Sequence, residues 1–140
     1  MLICGVFRSL RPSGPLDSPA EIDGAALETL VYQHLRAWID SSGHPVQLSF
    51  WRTNAGMEVD FIVYGKDLFY AIGVKNTARV RPEDIRGLRE FADEYPEAAL
   101  LFIYRGEHVL KTGNVLAMPA KKFLMNLDPG ASFSSALPAC

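Results

Sequence analysis

Cysteine is scarce in this sequence: two residues, Cys4 and Cys140, at opposite ends of 140. That excludes a disulfide framework, and it excludes a zinc site built on closely spaced Cys and His pairs. Two free thiols in a reducing compartment are expected instead. Histidine is scarce as well: His44 and His108 fall in expected loops with no partner at zinc spacing, and His34 reads as a hydrogen-bonded core residue. No apolar run approaches the ~18 residues of a membrane span. The opening MLICGVF lacks the basic leader and cleavage site of a signal peptide. A cytoplasmic protein without a membrane partner is the expectation. Charge excess is missing too, since 14 basic and 16 acidic residues leave a net −2. Nucleic-acid binding driven by global charge is thereby excluded, and any such binding needs a local patch. There is no G-x-x-x-x-G-K-[ST] phosphate loop, no G-x-S-x-G elbow and no internal repeat.

What is present suits one globular domain. Hydrophobic residues make up 49% and charged residues 21%, and a chain of this length buries roughly 68–70% of its unfolded surface. The domain is expected over residues 1–128, with a flexible tail over 129–140, where Pro, Gly, Ser and Ala take over. The apolar run 2–7 reads as the end of a strand from a longer parent chain, followed by a Pro-rich connector.

Periodicity then predicts a helix from residue 22 or 24 to 39, capped by Asp23 and stopped by Ser41-Ser42-Gly43. Its stripe is Leu27, Leu30, Val31, Leu35, Trp38 and Ile39, with Gln33, Arg36 and Asp40 facing water. Strands are expected over 46–53, 58–64 and 68–75, an antiparallel meander with turns at Asn54-Ala55-Gly56 and Gly65-Lys66-Asp67. A second helix over 82–94 starts on Pro82, followed by Glu83 and Asp84. The run 98–104 is apolar throughout, as in a strand buried on both faces. A short strand over 115–118 and a helix over 119–127 complete a mixed α/β arrangement.

Three places break the packing pattern. Glu28 falls inside the apolar stripe of the first helix, where a carboxylate is costly unless paired, protonated or metal-bound. The alternative is a solvated position near the helix start or an arginine partner. Glu58 and Asp60 alternate with Val59 and Phe61 on a strand, so period 2 puts both acids on one face, a pairing suited to a divalent cation. A wet edge strand is the other reading. Lys75 ends an apolar strand, with Gly73 on its face. If Tyr64 pairs with Phe69, Asp60 lies opposite Gly73 and Glu58 opposite Lys75, while a slip of one residue reverses the set. Gly73 leaves either a gap in a pocket or a bulge.

Asp60, a short turn, then a strand ending in x-x-Lys resembles the PD-(D/E)xK nuclease superfamily. The strings GAALETLVYQHLRAW, FWRTNAGMEVDFIVYG, FYAIGVKNTARVRPEDIRGLREFADEYPEA and LLFIYRG resemble the C-terminal domain of unknown function in a class of bacterial and archaeal AAA-type ATPases. The likeness runs from about Gly5 to Leu127. It implies a restriction-endonuclease-like α/β fold, a central mixed β-sheet flanked by helices. It also implies catalytic roles for Lys75, Asp60 and Glu28, and a Mg²⁺ held by Asp60 and Glu28, with Glu58 as a substitute ligand. The family pattern has Glu or Asp two residues before the lysine, and here that residue is Gly73.

The expected function is therefore a nuclease-like accessory domain, catalytically impaired at Gly73 and acting in nucleic-acid or partner binding. Two alternatives stand beside it, an active Mg²⁺- or Mn²⁺-dependent endonuclease and an interaction or oligomerisation domain. Without a phosphate loop the chain is not expected to hydrolyse ATP by that route, and the resemblance implies the ATPase module of a parent protein as a partner. Between Lys75 and Arg89, Lys75, Arg79, Arg81, Arg86 and Arg89 outnumber Glu83 and Asp84 by three. Lys75, Arg79 and Arg81 are the expected phosphate contacts, against the plainer reading of a solvated helix face.

Overall fold

The computed structural model describes residues 19–138, with side chains from residue 24 onward. The readings made for Cys4, Cys140 and the apolar run at 2–7 lie outside the described residues. Helix α1 (Pro19–Ser42) opens earlier than Asp23, so Asp23 lies within it and does not cap it. Pro19 suits the first turn, where its missing N–H would have no intrahelical partner. At the other end Ser41 and Ser42 Oγ donate to Ala37 O and Ile39 O, at 2.9 and 2.8 Å, and carry the last turn to Gly43.

The sheet has six strands: β1 (Val46–Arg52), β2 (Glu58–Gly65), β3 (Leu68–Val74), β4 (Ala99–Tyr104), β5 (Leu110–Thr112) and β6 (Val115–Pro119). Their spatial order is β1-β2-β3-β4-β6-β5. The expected meander β1-β2-β3 is antiparallel, and Tyr64 pairs with Phe69. Strand β4 then runs parallel to both β3 and β6, which places the apolar run Leu100–Tyr104 at the centre, buried residue by residue. A parallel neighbour requires a crossover. Between β3 and β4 it is made by a 3₁₀ turn, Pro82–Asp84, and helix α2 (Arg86–Glu94), where one continuous helix was expected. Strand β5 was not expected: three residues, two of them exposed, carry no readable alternation.

Helices cover both faces of this mixed sheet. On one side α1 and α3 (Ala120–Asn126) pack Leu27, Val31, Leu35 and Phe123 against Phe61, Val63 and Ile72. On the other, α2 packs Leu88 and Phe91 against Val59, Ile62 and Phe102. Two expectations are corrected. Gln33 is only 3% exposed, and its Nε2 has no hydrogen-bond partner among the described residues, so α1 is buried beyond its apolar stripe. The stretch after Asp128 does not fray as far as residue 138. It forms a 3₁₀ turn, Phe133–Ala136, whose Phe133 and Ala136 are buried, and Ala131 O accepts a 2.8 Å hydrogen bond from Trp38 Nε1. The physical reason is one aromatic anchor: Phe133 meets Trp38 edge-on at 5.4 Å, enough to order a polar stretch around it. No described helix is long and apolar enough to cross a membrane.

Candidate functional site

A cavity of about 360 Å³ opens between the start of β2, the end of β3 and the beginning of α2. Glu28, Glu58, Asp60, Gly73 and Lys75 all line it. Arg79 and Arg81 do not; both are exposed on the connecting loop. There Arg79 N and O bond to Thr77 Oγ1, at 3.4 and 3.1 Å, and Arg81 stands 4.0 Å from Glu83. A larger hollow of about 500 Å³, floored by Trp38, Tyr70 and Phe133, holds none of the acids in question.

Asp60 owes its position to a β-bulge. Ser49 pairs with Ile62 but Trp51 pairs with Val59, so Asp60 and Phe61 together stand opposite Phe50. An extra residue in one strand bends it and re-aims the side chains at the bulge. Val59 and Ile62, three apart, accordingly both join the α2-side core, while Phe61 joins the α1 side. The alternation therefore breaks after Asp60: Val59 does not share a face with Phe61 and Val63 as period 2 predicts, while Glu58 and Asp60, on either side of Val59, both reach the cavity. The β2–β3 pairing stops at Phe61 and Ile72. Beyond it Asp60 Oδ2 accepts the backbone N–H of Val74 at 2.7 Å, so a side chain takes over where the ladder ends.

Burial pushes the Asp60 carboxyl up from 3.8 to about 7, and the charges of Glu28 and Glu58 add to the rise. The Val74 N–H and the Arg52 guanidinium pull the other way without overcoming it. Glu28, exposed on α1, is also pushed up, first by its partial burial and then by Glu58. The Tyr64–Phe69 register is present, but the ladder ends before Glu58 and Lys75, which line the cavity with different ion-pair partners. Glu58 pairs with Arg52 directly across the β1–β2 ladder, at 3.3 Å.

Lys75 turns to a carboxylate that the pattern of the sequence assigned only to the helix start. Its Nζ donates to Asp84 Oδ1 at 2.6 Å, and the Asp84 side chain is 1% exposed. The other oxygen, Oδ2, accepts the Arg81 N–H at 3.0 Å, while Asp84 N donates back to Arg81 O at 2.9 Å. Pro82 followed by an acid two residues later is the readable signal for this reciprocal cap. Nothing in the spacing shows that the same acid also holds Lys75.

Two glycines shape the walls differently. A Cβ on Gly87 would stand 2.3 Å from Glu58 O, so only glycine lets α2 approach β2 so closely. A Cβ on Gly73 would meet Leu88 and Phe102 at 3.4 Å, the near edge of ordinary contact. The lack of a side chain at 73 is not forced by space. Altogether five carboxylates, those of Glu28, Glu58, Asp60, Glu83 and Asp84, line the cavity against the one ammonium of Lys75. Among the described residues no three Asp, Glu, His or Cys side chains gather as a metal-holding group. Three of the five are already engaged: Asp60 through Oδ2 by Val74, Glu58 by Arg52, and Asp84 by Lys75 and Arg81.

A family model described as "Domain of unknown function (DUF4143)" matches residues 23–123. No curated protein and no solved structure matches the chain.

Proposed function

The chain belongs to the DUF4143 family, and from that premise we propose a nuclease-like accessory domain of the PD-(D/E)xK kind that no longer cuts and serves in partner binding. One observation carries the reading: the Lys75 ammonium is tied to a buried carboxylate at 2.6 Å, while Gly73 brings no acid to the same cavity. In a cleaving site of this kind the lysine supports the attacking water or the charge that develops on phosphate. A lysine neutralised by Asp84 has little left to give. Mg²⁺ is ordinarily held by one or two carboxylates together with water and substrate phosphate. The donor set here does not fit that role, and no step is assigned to a metal.

Electrostatics argue in the same direction. A phosphate entering a cavity lined by five carboxyl groups and one paired lysine meets an excess of negative charge that opposes it. Nucleic-acid binding is the second reading, favoured by exposed Arg79 and Arg81 beside the cavity mouth. An AAA-type ATPase module is the partner class that the family resemblance supplies.

The test compares DNA cleavage by the parent protein, Gly73→Glu and Asp60→Ala, with Mg²⁺ or Mn²⁺ at fixed salt. No cleavage by the parent is expected. Activity that appears only with Gly73→Glu would support a scaffold lacking one acid, since the Cβ at 73 has room. Metal-dependent cleavage by the parent that disappears in Asp60→Ala overturns the proposal.

A further inference from the structure

A groove of about 550 Å³ runs between α1 and α3 and shares no lining residue with the acidic cavity. Its floor is aliphatic: Leu27 and Leu30 from α1, Ala120, Leu124 and Met125 from α3. Met125, at the end of α3, is 69% exposed. Among the described residues the polar lining side chains are His34, Arg105 and Lys121, with no carboxylate beside the Arg105 and Lys121 charges. His34 Nδ1 lies 2.9 Å from Leu30 O, a contact in which the ring donates and Nε2 is left for another partner. Arg105 gives its Nε to Asn76 Oδ1 at 3.1 Å and keeps its terminal amines.

From this we infer that the α1–α3 groove docks an amphipathic helix of a protein partner, with aliphatic residues facing the floor and Asp or Glu facing the rim. An apolar trough between two helices is the geometry that receives a third helix through anchors at i, i+3 and i+4. Methionine adapts its shape to such anchors more readily than branched residues do. Positive charge at the rim selects acidic flanks and speeds encounter. Nucleic acid would be drawn by the same charges, but among the described residues no aromatic ring lines the groove, and single strands rely on such rings to stack their bases. An aliphatic floor rewards leucine, not phosphate.

This inference does not depend on the state of the acidic cavity, and either can fail alone. The probe is a designed peptide of about four helical turns with Leu on one face and Glu on the other. Its controls are the same peptide with Lys for Glu and a single-stranded oligonucleotide of about 20 nucleotides. Methyl NMR of the intact chain should show saturable shifts at Leu30, Leu124 and Met125 with the Glu peptide. Binding should weaken about tenfold in Lys121→Glu and again in Met125→Glu, both exposed positions where the fold can be verified by circular dichroism. The inference is overturned if those methyls do not shift, or if both variants bind as the parent does. It is equally overturned if the Lys peptide or the oligonucleotide binds there as well as the Glu peptide.

Discussion

Asp60 is subject to two opposed demands. Its carboxylate accepts the Val74 N–H at 2.7 Å, which favours the ionised form, yet burial and two neighbouring glutamates lift its pKa to about 7. Unfolded, the same group titrates near 3.8. Between about pH 4 and pH 7 the folded protein therefore binds a proton that the unfolded chain lacks. Stability falls as pH rises through that window and levels off above it. Glu28, raised in the same direction, adds to the slope. Asp60→Asn keeps an oxygen for the Val74 N–H and removes the titration. The variant should gain little over the parent at about pH 4 and a few kcal/mol at about pH 8, at about 1.4 kcal/mol per pKa unit. Urea denaturation at several pH values measures it. A gain that is flat with pH would mean that Asp60 is not the group whose burial costs stability.

At the scale of elements, the approach of α2 to β2 is what closes the cavity. Gly87→Ala would place a methyl 2.3 Å from a backbone oxygen that cannot swing aside. It should cost about 1–3 kcal/mol, the range of overpacked positions, and open the wall between α2 and β2. Gly73→Ala lines the same cavity, yet meets only side-chain carbons at 3.4 Å. That change should lie within about 1 kcal/mol of neutral, because mild crowding of Leu88 and Phe102 is offset by a less flexible unfolded chain. Denaturant midpoints of the two variants, measured side by side, separate a glycine required by packing from one that is not. Much of this element-level geometry is legible beforehand. The β2–β3 register follows from two alternating runs around a three-residue turn, and it brings Asp60, Gly73 and Lys75 to one end of the sheet. The bulge at Asp60–Phe61 is not legible, since it shows only in how β2 lines up with β1. The capture of Lys75 by Asp84 is hidden for a related reason: a loop separates them in the chain, and loop paths leave no period to read.

The whole molecule is held by two cores on opposite faces of one sheet, and the C-terminal stretch belongs to the larger of them. Composition misleads there, because Ser, Gly, Pro and Ala outnumber a single aromatic, whereas packing depends on where that aromatic lands. Phe133 lands among Trp38, Tyr70 and Phe123, with ring centroids 5.4, 4.6 and 6.0 Å away. Removing it should therefore behave as a core truncation and not as the trimming of a tail. Phe133→Ala is expected to cost about 3–5 kcal/mol. The loss should be comparable to that of Phe91→Ala, which empties the opposite face. Because both cores rest on the same strands, either variant should still unfold in one transition, with an unchanged denaturant slope. A Phe133→Ala midpoint within experimental error of the parent, in the same urea titration, would detach the last turn from the fold. A second transition in that titration would instead mean that the two faces melt as separate units.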